Sequence, residues 1–494
     1  MRWWMPSTGP RGSAAATSAG ARCNAMRGAG PFAAVAVAVV FVALCLWHYA
    51  PMLPGAALWQ FDEFYTAERT YSLLFRGDWL TLFSNGAPVF KKPPLQYWAG
   101  AGLLLAGVPE WLALRLPSVL AAFGVAALTF RLAWGLAGTA WAGLAALVLL
   151  AGSVLFWVSA TSAMLDMPAA LFLLGAVMAT AAAWSRPRFW WVVALMVGLG
   201  ALQKAPVALV AVAVTVLVLR WQVAPARARL WGPLALAVAL VAVWPLVQGL
   251  QAGGAPLRVA FVQEQSQRFL PGWGGWDRSL RWVAWARTDG AVLWGAMLVA
   301  VLALPFVARR RAVFVTVWVG LFLLALTAAR GEVFDRYLMQ ILPFAAAAGG
   351  AVAVRLFRPG LGLALAVLVG LTAGGPFKTP DTIGLDGPGM TPFRPLLTDF
   401  RAVIRPDESL IVCGWGKSDL VLFPGALWLW GSADKPFRRI WRAAELPEAL
   451  AIDNIRPPLR GLCLAEEFEA LAKAQPGVIE VARDQGFVHW TYRQ

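Results

Sequence analysis

Two charged pairs in one stretch of the chain have residue types that can do chemistry. Asp62 and Glu63 are adjacent carboxylates, and Lys91 and Lys92 stand directly before a double proline. A carboxylate can take a proton from an attacking hydroxyl or hold a divalent cation. A lysine ammonium binds phosphate as a point charge, and the prolines stiffen the backbone that presents it. The competing interpretations are a solvated loop for the carboxylates and an interfacial anchor for the lysines.

Three later turns add single charges of the same kinds. Asp166 precedes Pro168 at a predicted helix start, where a carboxylate also serves as a cap. Lys204 is a lone cation in a tight turn between apolar stretches, and such a residue usually has an anionic partner or substrate. Arg336 belongs to a turn whose charges either neutralise one another or leave the guanidinium to bind phosphate. On one membrane face, these groups would suit a phosphate ester lying in the membrane plane.

The elements that must position these turns are membrane helices. Hydrophobic residues make up 60% of the 494 positions, charged residues only 14%, and the mean hydropathy is +0.65. Apolar runs of about 20 residues match a hydrocarbon core about 30 Å thick, and they lack the alternation of barrel strands. Eleven spans are predicted: Phe32–Leu53, Trp111–Trp134, Ala140–Val158, Pro168–Trp184, Phe189–Leu202, Pro206–Leu219, Trp231–Leu250, Ala291–Val307, Val313–Ala328, Tyr337–Val354 and Leu361–Ala373.

The charges between the spans predict the topology. The net charge of +16 lies mostly in short gaps, where the positive-inside rule places it, so nucleic acid is not the expected partner. Residues 1–30 then form a disordered basic cytoplasmic tail, and 31–376 form the transmembrane domain with a first outward loop at 54–110. Leu95–Val108 is too short for a single crossing and is predicted to be interfacial or re-entrant. A pair of extra crossings there would raise the count to thirteen.

Beyond residue 376 the pattern changes to a small soluble α/β domain, residues 377–494, which the topology places outside. Apolar runs shorten to strand length at Ser409–Cys413, Leu420–Phe423 and Val478–Val481, and Glu466–Ala474 reads as a charged helix. Cys413 and Cys463 could form a disulfide in an oxidising compartment, which sequence alone leaves open.

The order of motifs resembles the ArnT-like and PMT-like families of the GT-C glycosyltransferases over roughly residues 30–376. The motifs that carry this resemblance are Asp62-Glu63 with Tyr65 and Glu68, Gly77-Asp78-Trp79, Asn85-Gly86, Phe90 with Lys92-Pro93-Pro94-Leu95 and Tyr97-Trp98, Arg115-Leu116-Pro117-Ser118, Leu165-Asp166-Met167, Gly198-Leu199 with Lys204-Ala205-Pro206, and Arg336-Tyr337 with Leu342-Pro343.

The resemblance implies a GT-C fold and a polyprenyl-phosphate sugar donor used on the outer side of a bacterial cytoplasmic membrane. In ArnT-like enzymes the acceptor is lipid A and the sugar is 4-amino-4-deoxy-L-arabinose, while other relatives glycosylate proteins or polymers. Transferred position by position, the resemblance makes Asp62 and Glu63 catalytic, binds the donor phosphate through Lys92, Lys204 and Arg336, and adds Tyr65, Glu68, Lys91, Asp166 and Tyr337 to the site.

One residue departs from the family pattern. ArnT-like sequences often have Glu where this chain has Lys91, which puts any metal or acceptor role of that Glu in doubt. A divalent cation remains a candidate cofactor, with Asp62 and Asp166 as its candidate ligands. The rival functions are a transporter or lipid flippase, which should carry charges at mid-membrane in two related halves, and a scaffold that presents the C-terminal domain.

Overall fold

A computed structural model of the chain describes residues 61–84, 87–90, 92–204, 206–222, 231–254, 258, 280–308, 312–329, 334–375, 408–413, 437–440, 442–451, 458–484 and 486–492. The described residues fall into two compact units. The first contains residues 118–161 and 165–375, and the second contains 61–117, 162–164 and 408–492.

The first unit is a bundle of apolar helices. Its helices are α4 (Leu116–Ala137, whose first two residues fall in the second unit), α5 (Ala140–Gly152), α6 (Val154–Thr161), α7 (Asp166–Ala183), α8 (Phe189–Gln203), α9 (Val207–Gln222), α10 (Trp231–Ala252), α11 (Arg281–Val307), α12 (Val313–Ala328), α13 (Leu342–Leu356) and α14 (Pro359–Ala373). A 3₁₀ segment, Asp335–Gln340, precedes α13. Each predicted span after the first overlaps helices of this set, and Phe32–Leu53 lies outside the described residues. Two predicted spans are not single helices: Ala140–Val158 is divided between α5 and α6 at Ser153, and Tyr337–Val354 begins in the 3₁₀ segment.

These helices are not all long enough to cross a membrane. Within the described residues, four helices are long and apolar enough to cross a membrane, and α5 with α6 would make a fifth if the pair, bent by 77°, is one span. The five remaining apolar helices have 15 or 16 residues. Such a helix is about 23 Å long, which is shorter than a hydrocarbon core of about 30 Å. The count of eleven therefore stays a prediction.

Small residues let the central helices approach closely. A Cβ atom on Gly350 of α13 would lie 2.5 Å from the backbone nitrogen of Ala146 in α5. A Cβ on Gly152, at the end of α5, would lie 2.8 Å from the Cα atom of Gly370 in α14. Close backbone approach of this kind is how membrane helices gain packing energy without a hydrophobic driving force.

The first described residues of the second unit form a helix in a stretch whose sequence predicts a loop. Helix α1 (Phe61–Arg76) is followed by a short hairpin of β1 (Phe83–Ser84) and β2 (Ala87–Pro88), then by α2 (Leu95–Leu105) and α3 (Glu110–Ala113). Residues 61–76 contain no glycine or proline, and α1 packs on α2 with Thr70 against Gly100. Tertiary packing thus turns a charged stretch into a helix. With 11 residues, α2 is too short to span a bilayer.

The C-terminal part of this unit is a mixed five-stranded sheet. Its strands are β3 (Ser409–Cys413), β4 (Phe437–Ile440), β5 (Leu459–Leu464), β6 (Val478–Asp484) and β7 (Phe487–Tyr492), in the order β4-β3-β5-β7-β6. The β4, β3 and β5 strands run parallel, while β7 is antiparallel to both β5 and β6.

Two helices, α15 (Leu446–Ala451) and α16 (Ala465–Ala474), complete the described α/β region. The predicted strands at 409–413 and 478–481 and the predicted helix at 466–474 are confirmed, and 420–423 lies outside the described residues. Cys413 and Cys463 are register partners on β3 and β5, and they form a disulfide with their Cα atoms 4.6 Å apart.

Candidate active site

Three predicted site residues of the first unit meet in one ion-pair cluster. The Lys204 ammonium is hydrogen-bonded to Oδ1 of Asp166. The Arg336 Nε atom lies 3.7 Å from Oδ2 of the same carboxylate. The Lys204 ammonium also lies 4.7 Å from the centre of the Tyr337 ring. Residues from three separate sequence motifs, Asp166, Lys204 and Arg336 with Tyr337, therefore form one group.

The local fold places each member of this cluster at an element boundary. Asp166 opens α7, Lys204 caps the end of α8, and Arg336 lies in the 3₁₀ segment before α13. Two buried amides tie the boundaries together, because Gln203 donates to the Leu165 carbonyl at 3.3 Å and Gln340 donates to the Asp166 carbonyl at 3.4 Å. A carboxylate at a helix start and a cation at a helix end are both favoured by the helix dipole.

The carboxylate of this cluster is more deeply buried than its two cations. The Asp166 side chain is 3% exposed, whereas the side chains of Lys204 and Arg336 are 18% and 20% exposed. A buried carboxylate thus holds two cations that still reach the surface of the unit. Cations that reach the surface beside a buried carboxylate are groups that can bind a phosphate.

Glu63 occupies a different and fully buried setting in the second unit. Its carboxylate accepts from Arg115 Nε at 2.9 Å and from Arg115 Nη2 at 3.1 Å, and it also accepts from the backbone nitrogen of Ala163 at 2.5 Å. The side chains of Arg115 and Glu63 are 2% and 0% exposed. A planar bidentate pair with a third donor suits a structural carboxylate better than a base that must reach an acceptor.

The remaining predicted residues of the second unit lie around α1 and α2. The Arg69 guanidinium lies 4.8 Å from the centre of the Tyr65 ring and donates to the Tyr97 hydroxyl at 3.0 Å. Glu68 is buried and accepts from the Ser84 hydroxyl at 2.6 Å.

Lys92 lies, partly buried, between the hairpin and α2, and two buried prolines follow it. Asp62 belongs to α1, but its side chain lies outside the described set, as does Lys91 altogether.

A metal ion fits the described residues poorly. Within the described part of the chain, no group of three His, Cys, Asp or Glu side chains converges. Asp166 already accepts from two cations, and a divalent ion at the same oxygens would be repelled by them.

Several residues that shape the site were not among the sequence-predicted candidates. Arg115, which is 1% exposed, belongs to the Arg115-Leu116-Pro117-Ser118 motif but was given no role in the site. A charge near the start of an apolar span is itself a signal that a partner is needed. Gln340 and Gln203 carry no such signal, because an amide costs little at a helix end. Arg69 follows Glu68 in what reads as a charged surface stretch, and only packing buries it.

Comparison with known proteins agrees with this architecture. Residues 91–248 match the family described as dolichyl-phosphate-mannose-protein mannosyltransferase. The chain is 31% identical over 209 residues to undecaprenyl phosphate-alpha-4-amino-4-deoxy-L-arabinose arabinosyl transferase 2 of Sodalis glossinidius, covering 39% of this chain and 36% of that protein. It is 28% identical over 337 residues to transferase 1 of the same organism, covering 65% and 58%. It is 31% identical over 251 residues to the Pectobacterium carotovorum transferase, covering 47% and 43%. The chain thus spans only part of these relatives' length.

Solved structures show the same fold over nearly the whole chain. The crystal structure of ArnT from Cupriavidus metallidurans bound to undecaprenyl phosphate has a TM-score of 0.70 at 18% identity, covering 92% of this chain and 97% of that one. Its apo form has a TM-score of 0.68 at 18% identity, covering 93% and 98%. The GT-C fold expected from the motifs is therefore confirmed for this multi-pass membrane protein. In sequence and in fold, the chain is thus similar to the ArnT-like and PMT-like members of the GT-C superfamily.

Proposed function

We propose that this protein transfers a glycosyl group from a polyprenyl-phosphate donor to an acceptor. The observation that carries the proposal is the pair of partly exposed cations, Lys204 and Arg336, held by the buried Asp166 carboxylate. A sugar phosphate in a membrane needs cations at the membrane helices to bind it and to stabilise the phosphate that departs. The named relatives use undecaprenyl phosphate-linked aminoarabinose, which supports this donor class.

The reaction is a single displacement that inverts the anomeric carbon. An acceptor oxygen forms a bond to the anomeric carbon as the bond from that carbon to the phosphate oxygen breaks, and the electron pair leaves with the polyprenyl phosphate. Lys204, Arg336 and Lys92 stabilise the charge on that phosphate. Asp62 takes the proton of a hydroxyl acceptor, while Glu63 holds Arg115 and the backbone at Ala163 in place. An ionised phosphate acceptor would need no base, and Asp62 would then orient the sugar.

The acceptor is a lipid A-like glycolipid, another envelope glycan or a protein, on the outer side of a bacterial cytoplasmic membrane. In this topology residues 1–30 are a cytoplasmic tail, 31–376 form the catalytic membrane domain, and 377–494 form a periplasmic domain. The buried disulfide between Cys413 and Cys463 supports the last placement, because such bonds persist in oxidising compartments.

The decisive experiment measures transfer by the purified protein in vesicles. Labelled undecaprenyl-phosphate sugar is supplied with lipid A, and both the product and the orientation of unreacted donor lipid are followed. Transfer is expected, with Asp62→Asn abolishing it while binding of undecaprenyl phosphate is retained. Movement of the lipid across the membrane without transfer would overturn the proposal in favour of a transporter, and an Asp62→Asn variant that transfers sugar normally would remove Asp62 from catalysis.

The phosphate-binding role has its own test. Lys204→Met keeps the length of the side chain and removes its charge, so the loss of one charge-assisted contact, about 1.5–3 kcal/mol, should weaken binding of undecaprenyl phosphate roughly 10- to 100-fold. Arg358→Ala, which removes an exposed cation at the start of α14, is the matched control and should bind normally. Equal binding by both variants would show that Lys204 does not contact the phosphate.

A further inference from the structure

The break between α5 and α6 is held by a carboxylate from a distant helix. Ser153 separates the two helices in an extended conformation, and their axes differ by 77°. The hydroxyl of Ser153 donates to Oδ2 of Asp289 at 2.7 Å, and the backbone nitrogen of Leu155 donates to Oδ1 at 2.8 Å. The indole of Trp294 donates to Oδ2 at 2.7 Å. Asp289 is therefore a buried hydrogen-bond acceptor for a helix more than 130 residues away.

This arrangement caps the N-terminus of α6. The first backbone N–H groups of a helix have no partner within it. Here Leu155 donates to Asp289 and Phe156 donates to the Ser153 hydroxyl oxygen at 3.2 Å, while the helix dipole favours the carboxylate. Asp289 lies at a second break, because Gly290 interrupts α11 at φ 153°, and a Cβ there would lie 2.5 Å from the Ala373 side chain.

The other end of α6 leads to the ion-pair cluster. All eight residues of α6 are buried, and four residues of chain separate its last residue, Thr161, from Asp166. Helix α6 packs against the 3₁₀ segment that carries Arg336. A helix of eight residues is about 12 Å long, and a helix that moves as one body would carry a shift at its capped end to the segments of Asp166 and Arg336.

We propose that Asp289 is a positioning residue for the donor-phosphate site: through the cap on α6 it sets the relative placement of Asp166 and Arg336. This proposal rests on the proposed function, which supplies polyprenyl phosphate as the ligand. Asp289 contacts Ser153, Leu155 and Trp294, so it would act on the phosphate site through α6. The hydrogen bonds of Asp289 hold the break between α5 and α6, and the phosphate-binding geometry depends on these bonds.

The test compares Asp289→Asn with a control substitution that is also buried and also nearly isosteric. The amide can still accept from Ser153 and Trp294, but its NH₂ group then faces the Leu155 N–H. This removes the part of the cap that Asp289 supplies and leaves the hydrogen bond from Phe156 to Ser153. Thr129→Val removes a buried hydroxyl that donates to the Val125 carbonyl at 2.7 Å in α4, away from the break. Both full-length variants are measured for thermal stability, undecaprenyl phosphate affinity and amide hydrogen exchange.

Asp289→Asn should weaken undecaprenyl phosphate binding about tenfold and speed exchange at residues 155–161 and 336–340, whereas Thr129→Val should bind within twofold of wild type. Ser153→Ala should give a smaller loss, and the double variant should lose less than the product of the two single effects. If Asp289→Asn lowers stability but binds like Thr129→Val, Asp289 is only structural and the inference is wrong. If the wild-type protein binds no undecaprenyl phosphate, the proposed function fails, while exchange unchanged at 336–340 would overturn the coupling independently.

Discussion

Substitutions in the pair of Glu63 and Arg115 test whether the Glu63 carboxylate is structural or catalytic. The two side chains are buried and joined by two hydrogen bonds of 2.9 and 3.1 Å. Glu63→Gln leaves the Arg115 charge in the interior without its counter-ion, and Arg115→Met leaves the Glu63 charge in the same position. Breaking a buried pair by removing one partner costs about 3–5 kcal/mol.

Replacing both partners should cost much less than the sum of the two changes, because no uncompensated charge then remains. Two independent losses would total about 6–10 kcal/mol, so a double variant within about 5 kcal/mol of wild type establishes the coupling. Glutamine still accepts from the Ala163 backbone, which keeps that contact in the single and double variants alike.

The assay measures unfolding in detergent by a graded denaturant, followed by sugar transfer per folded molecule. A structural Glu63 predicts that Glu63→Gln/Arg115→Met regains both stability and transfer relative to Glu63→Gln. A double variant that is stable but transfers no sugar would refute this reasoning and return Glu63 to catalysis. Single variants as stable as wild type would show that the pair is not desolvated as the geometry indicates.

Three further predictions concern packing and the C-terminal sheet. Gly350→Ala should lower the free energy of unfolding by about 1–3 kcal/mol, since the added methyl group meets the α5 backbone, and denaturant midpoints measure it. Burial, aided by the Arg460 charge, lowers the pKa of His489 to about 4 from an ordinary 6.5. The unfolded state therefore takes up a proton first as pH falls from 6.5 to 4, and the sheet should lose up to roughly 3 kcal/mol of stability, which His489→Gln should abolish in protease-resistance assays. Reducing the disulfide of Cys413 and Cys463, which are 50 residues apart, should destabilise the same region by about 4 kcal/mol; unchanged protease resistance after reduction would contradict this.

The helical framework was predictable because its signal is local. A run of apolar residues must cross the membrane or be buried in protein, so the predicted spans from Trp111 onward overlap helices. The break at Ser153 was not predictable, because the apolar run continues through it. The strand at Ser409–Cys413 was predictable for the same reason. The stretch at 61–76 was not, because its charged residues read as solvent-facing and only contact with α2 decides which of them are buried.

The composition and order of the residues by themselves determined a membrane protein with ArnT-like motifs and a terminal α/β region. Hydropathy and motif spacing are properties of the chain, and they need no knowledge of contacts. Only the tertiary structure decided which charges meet. It paired Asp166 with Lys204 and Arg336, joined Glu63 to Arg115, and capped α6 with Asp289. The partners lie 38 to 170 residues apart, and helix packing, which no local pattern encodes, brings them together.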